Sequence, residues 1–259
     1  MEETAKVTVY KKPGLTDELE KSFAIALKDM KIYYFKPGIL IFGILFPIAI
    51  FFAFTMGRKV DEKTLFPGLI ALTLFFSTTT VAPFSMPWER LNKTFERVLF
   101  APVSLPAFAL GKTISSAVFG LVMSLVPLIF GILFFNVKIS NALALLLAII
   151  LGNACISNIG TLISTFGSNQ PQNVMLLLNL VRLPMMFISG IFVPVYELPY
   201  WARVITWFSP VSYAVDLLRS GLGFRNYFGI LLSSLFLIAF GAVLFVACLL
   251  RMNSWNRKD

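Results

Sequence analysis

PWERLNKTFERVLFAPVS, Pro87 to Ser104, places five charged side chains between Glu89 and Arg97. The chain turns apolar at once on both sides: LTLFFSTTTVAPFSM precedes the stretch, and LPAFALGKTISSAVFGLVMSLVPLIFGILFF follows it. The whole chain has 259 residues, 58% hydrophobic and only 14% charged. Soluble domains hold about 45–50% apolar and ~25% charged residues, so a water-soluble fold could not cover this much apolar surface. A short charged island between two membrane-length runs is a loop of a polytopic helical membrane protein.

Working outward from this loop, six runs reach the ~20 residues needed to cross a hydrocarbon core. They lie near 38–56, 65–86, 105–135, 141–166, 172–194 and 227–250. Ahead of them, Thr16 or Asp17 can cap a helix whose first turn carries Glu18 and Glu20, favoured at the positive dipole end. Leu19, Phe23, Leu27, Met30 and Tyr34 share one face of it, with Lys21, Lys28 and Lys31 largely off that stripe. Such a helix, spanning 15–36, would lie in the membrane interface until Pro37-Gly38 turns the chain inward. Before the last run, residues 195–226 are too polar to span and too apolar for a free loop, and Pro194, Pro199 and Pro210 divide the segment. Short helices that sit in or dip into the outer leaflet are expected there, with Tyr196, Tyr200, Trp201, Trp207 and Tyr213 at the water–lipid boundary. Small residues recur every four positions at Ser116, Gly120, Ser124 and at Ala144, Ala148, Gly152, as close helix packing requires. The expected fold is a single all-α membrane domain over 1–259. It has six transmembrane helices, an amphipathic interface helix and short re-entrant helices before the last span.

Lysines and arginines set the orientation. The N-terminus, the 87–104 loop region with Lys112, and the C-terminus hold fourteen of the 22, against seven on the opposite side. Both termini are therefore expected in the cytoplasm, and the 195–226 segment outside. The net charge of +9 sits mostly in short loops and serves this bias, so no nucleic-acid partner is implied. There is no histidine, and Cys155 and Cys248 fall inside apolar runs as small hydrophobes. No metal set, nucleophilic triad or carboxylate cluster is present. LGKTIS at 110–115 imitates the end of a phosphate loop, but the required earlier glycine is Pro106. Asn92-Lys93-Thr94 fits a glycosylation sequon and lies on the side expected to be cytoplasmic. The first 35 residues lack the apolar core of a signal peptide.

In the charged loop, Glu89 is spaced to pair with Lys93, and Lys93 to meet Arg97 or Glu96, on one short helix. Leu91, Phe95, Val98 and Leu99 give that helix an apolar strip. On residues alone it is either a docking element or a solvated connector. Arg182 stands midway along the fifth run, and no Asp or Glu lies inside any of the six. A guanidinium there costs at least ~2.5–3.5 kcal/mol to insert. It must snorkel, find carbonyls, or line a subunit interface or substrate path.

Glu89-Arg90-x3-Thr94-x-Glu96-x2-Leu99-x2-Pro102-Val103-Ser104 resembles the loop of type-2 ABC exporter permeases that forms their coupling helix. SGIFVPVYELPYWARVITWFSPVSYAVDLLRSGL, from Ser189, resembles a second block of the same family, nearest its daunorubicin and nodulation-factor exporter branch. The resemblance implies an exporter permease in the cell membrane, inner or plasma, with no enzymatic activity or cofactor of its own. ATP and Mg would be bound by a separate ATPase subunit, present in two copies and docked at Glu89, Arg90, Thr94, Glu96 and Leu99. The permease would pair as a homodimer. The wealth of Phe and lack of carboxylates favour a drug- or lipid-like amphiphile as cargo. A polysaccharide or glycolipid exporter is the alternative within the family. A channel or secondary transporter, or a non-transporting membrane factor, are the alternatives outside it.

Overall fold

The computed structural model describes residues 14–55, 62–94, 103–166 and 170–253, and every regular element among them is helical. Helix α1 is Leu15–Tyr33. Helix α2 runs over 37–55 as Pro37–Leu40, a π turn Ile41–Leu45, and Phe46–Thr55. Helices α3, Glu62–Thr78, and α4, Val81–Leu91, follow one another across a short break. Then come α5, Leu105–Phe135, α6, Ala142–Ser164, and α7, Pro171–Ile188. A 3-10 turn at Val195–Glu197 and the short helices α8, Tyr200–Thr206, and α9, Pro210–Gly221, lead into α10, Ile230–Asn253. Five stretches among the described residues are long and apolar enough to cross a bilayer. They are Phe66–Leu91, which joins most of α3 to α4, and helices α5, α6, α7 and α10. Helices α1 and α2 meet at a 94° bend, and this pair brings the number to six.

Local chemistry explains the irregular points. Pro47 has no N–H and its ring crowds the carbonyl four residues back, so the preceding turn widens to a π turn. Pro83 does the same to the carbonyl of Thr79, and the span breaks at Thr79–Thr80. The hydroxyls of Thr79 and Thr80 donate back to Phe75 O and Phe76 O, both at 2.6 Å, which stabilises the break. Helix α1 begins one residue ahead of the expected caps, and the Asp17 carboxylate accepts from Gly14 N. Its stripe Leu19, Phe23 and Leu27 is exposed. Ser22, Ile25, Ala26, Asp29 and Tyr33 are instead buried, and the helix packs against α5. Contact is close because Gly111 of α5 has no side chain: a Cβ there would meet Ile25 and Ser22 O at 2.8 Å.

The core lies where α3, α6, α9 and the inner face of α10 converge. The small residues Ser116, Gly120, Ser124, Ala144, Ala148 and Gly152 are all buried, as the four-residue spacing predicts. The 195–226 segment does form short helices, but α9 is almost wholly covered by protein. Tyr213 is therefore not a boundary anchor. It is fully buried, stacks on Phe236 at 4.8 Å, and donates to Trp207 O. Tyr200, Trp201 and Trp207 remain exposed.

Candidate functional site

The helical span that starts in α3 does not end at residue 86 as the hydropathy predicts. It continues through Leu91, so Glu89 belongs to its last turn. There the Glu89 side chain faces inward and is 1% exposed. Its partner is not Lys93. Oε1 of Glu89 takes Lys112 Nζ of α5 at 2.8 Å and Lys28 Nζ of α1 at 2.5 Å. Lys112 Nζ also donates to both oxygens of Asp29, at 2.8 and 3.1 Å, and to Ser85 Oγ at 3.2 Å. Lys28 lies 3.3 Å from Asp29 and is the one partly exposed member. Burial draws the Lys28 ammonium downward, and the Asp29 and Glu89 carboxylates outweigh it, holding the group above the ordinary lysine range. Two cations and two anions from α1, α4 and α5 thus form a neutral buried quartet at the last turn of α4.

Arg90 is half-buried beside it. The chain then turns at Asn92–Lys93, with Lys93 at φ 55°, so the single short helix expected over Glu89 to Leu99 is interrupted. Thr94 is exposed, and its hydroxyl donates to Glu89 O at 3.1 Å. Glu96 and Leu99 lie outside the described residues. Of the five loop residues, Glu89 is therefore an internal anchor, whereas Thr94 is presented to the surface.

Arg182 is completely buried. It neither snorkels nor meets a carboxylate. From α7 it crosses to the α3–α4 break, where Nε donates to Thr79 Oγ1 at 2.8 Å. Nη2 donates to Thr80 Oγ1 at 2.8 Å and to Phe76 O at 2.9 Å. The guanidinium also lies over the Phe76 ring, 4.9 Å from its centroid. Beside this contact, α2, α4 and α7 enclose an open apolar groove of about 540 Å³. Phe42, Phe84, Trp88, Met175, Leu176 and Leu183 line it, with Asn179 and Gln172 as its polar members. Arg182 does not line the groove; its neighbour Leu183 does.

Sequence reasoning missed Asp29, Lys112 and the threonine break as partners. Lys112 stood among the loop cations, and only its position seven residues inside α5 signalled burial. STTTVAP, with four hydroxyls and a proline in an apolar run, was the available signal for the break.

The family model described as "ABC-2 type transporter" matches residues 20–223. The chain belongs to the ABC-2 type transporter family and is a transmembrane, multi-pass transporter subunit. It is similar to the "Probable multidrug ABC transporter permease YbhR" of Escherichia coli (strain K12), 24% identical over 154 residues. That match covers 59% of this chain and 42% of the relative, and the protein of the same name from Escherichia coli O157:H7 gives the same figures.

Proposed function

We propose that this chain is the permease of an ATP-driven exporter for hydrophobic or amphiphilic, drug- or lipid-like cargo. The observation that carries this reading is the apolar groove between α2, α4 and α7, on whose wall stand Phe84, just ahead of the 87–104 loop, and Trp88, at its start. A wall that continues into a loop can be moved by whatever docks on that loop. A large apolar concavity with few polar groups suits an amphiphile better than a polysaccharide. Two copies of a separate ATPase bind ATP and Mg and dock from the cytoplasm on the 87–104 loop, with Arg90, Thr94, Glu96 and Leu99 as contacts. Two copies of the permease pair, and the exposed Leu176, Leu180 and Leu183 face of α7 suits that contact. Helix α1 lies in the cytoplasmic interface, which its 94° bend to α2 and its exposed stripe favour. Both termini are cytoplasmic and 195–226 faces outward. This subunit carries out no chemistry of its own.

Co-purification of an ATPase with the permease, and stimulation of its hydrolysis by a hydrophobic compound, test the reading. Glu96→Arg or Leu99→Asp should leave the permease in the membrane while removing the ATPase or its stimulation. Full stimulated hydrolysis when Glu96→Arg and Leu99→Asp are combined would sink the docking assignment.

A further inference from the structure

The contacts of Arg182 converge on one irregularity. In an unbroken helix Phe76 O would accept from Thr80 N. Here Thr80 N bonds instead to Ser77 O at 3.2 Å, and Phe76 O receives the Thr80 hydroxyl and Arg182 Nη2. Arg182 thus supplies a donor that the ladder has withdrawn. Helix α6 closes the other side of the break: Gly160 lies so near that a Cβ would meet Thr79 O at 2.9 Å. Among the described residues nothing accepts from Arg182 Nη1, although the side chain is fully buried. A cation held this way gains little as an isolated stability device, because burial without a counter-ion is costly.

The broken span has two ways to satisfy Phe76 O. Either Arg182 and the Thr80 hydroxyl serve it, or the ladder closes and Thr80 N does. Closing the ladder would shift α4 relative to α3 and give up the hydrogen bond from Arg182 of α7 to Phe76 O. Below the break, α4 carries Trp88 on the groove wall and Glu89 in the buried quartet. We propose that Arg182 is a positioning residue: it latches α7 to the break in span 62–91, so that displacement of α4 by its loop is passed to α7 and the groove. Differential contact between two arrangements is what a coupled transition requires. This proposal rests on the transport reading above for its effect on coupling, and on the break alone for its effect on backbone protection.

The test compares wild type with Arg182→Leu, Arg182→Lys and the near-isosteric pair Thr79→Val/Thr80→Val in lipid nanodiscs. Hydrogen exchange is followed at amides 76–84, and basal and compound-stimulated hydrolysis is measured with the ATPase bound. Arg182→Leu and the valine pair should both change exchange at 76–84. Both should lower the stimulated-to-basal ratio by about fivefold or more, equally for anionic and neutral compounds, with the ATPase still bound. Arg182→Lys, which cannot reach all three acceptors, should fall between. Unchanged exchange overturns the latch, as does a loss confined to anionic compounds, which would place Arg182 in contact with cargo. Should Arg182→Leu fail to fold, wild-type exchange and ratio in Arg182→Lys overturn it equally. If wild type binds no ATPase, the transport reading fails, while exchange at 76–84 still judges the latch.

Discussion

Replacing Lys112 by Met removes one buried cation and leaves Asp29 and Glu89 facing one another across its place. Before substitution the quartet is neutral; afterwards it holds two carboxylates and only Lys28. That ammonium already bonds Glu89 at 2.5 Å and lies 3.3 Å from Asp29, so it cannot also replace the four contacts of Lys112 Nζ. Removing one partner of a buried ion pair costs about 3–5 kcal/mol, most of it the stranded charge. For a chain of this size that corresponds to a fall in Tm on the order of 10 °C. Met is more apolar than Lys, so insertion of α5 is not impaired and the effect reads on packing alone. Thermal unfolding in detergent, followed by fluorescence of the nearby Trp88, measures it. The triple variant Asp29→Asn/Glu89→Gln/Lys112→Met leaves only the Lys28 ammonium, which is partly exposed to solvent, and should recover at least half the loss. The reasoning fails if Lys112→Met melts within about 2 °C of wild type, or if the triple variant is no better than the single.

Gly120→Val should yield no monodisperse protein on size exclusion, because a Cβ there collides with Thr78 Oγ1 and Asn153 Oδ1 at the crossing of α3, α5 and α6. Asp216→Ala should raise hydrogen exchange at 227–233 selectively, with a cost of about 2 kcal/mol. Its carboxylate accepts from the amides of Tyr227, Phe228 and Gly229 and from Ser233 Oγ, fixing the start of α10. In a background without Cys155 and Cys248, an impermeant thiol reagent on intact cells should label Tyr200→Cys and spare Lys36→Cys. Both positions are exposed, and the opposite pattern would reverse the orientation.

The spans were legible because each is a local property, a run of about twenty apolar residues, and α5, α6 and α10 lie where hydropathy puts them. The stripe Leu19, Phe23 and Leu27 was legible as a stripe, but the face that packs on α5 was not. That face contains Ser22 and Asp29, and their burial depends on Ala107 O and Lys112, 85 and 83 residues away. Glu89 illustrates the same limit. Helical spacing offers Lys93 as its partner, whereas the fold supplies Lys112 and Lys28 through helices that no local pattern relates. Arg182 was legible as an anomaly because its cost is local. Its solution is not, since the carbonyl and the two hydroxyls that accept from it stand at the break of another span, 102 to 106 residues away.

The distance along the chain between Asp29 and Lys112 also has a consequence during synthesis. Lys112 follows Asp29 by 83 residues, and translation at ~5–20 residues per second separates their arrival by on the order of ten seconds. Throughout that interval Asp29 has no buried cation to meet, and α1 lacks the helix on which its inner face packs. Lys112 in turn is buried against the Asp29 and Glu89 carboxylates. Docking of α1 therefore follows the synthesis of α5, and a helix made early finds its place late.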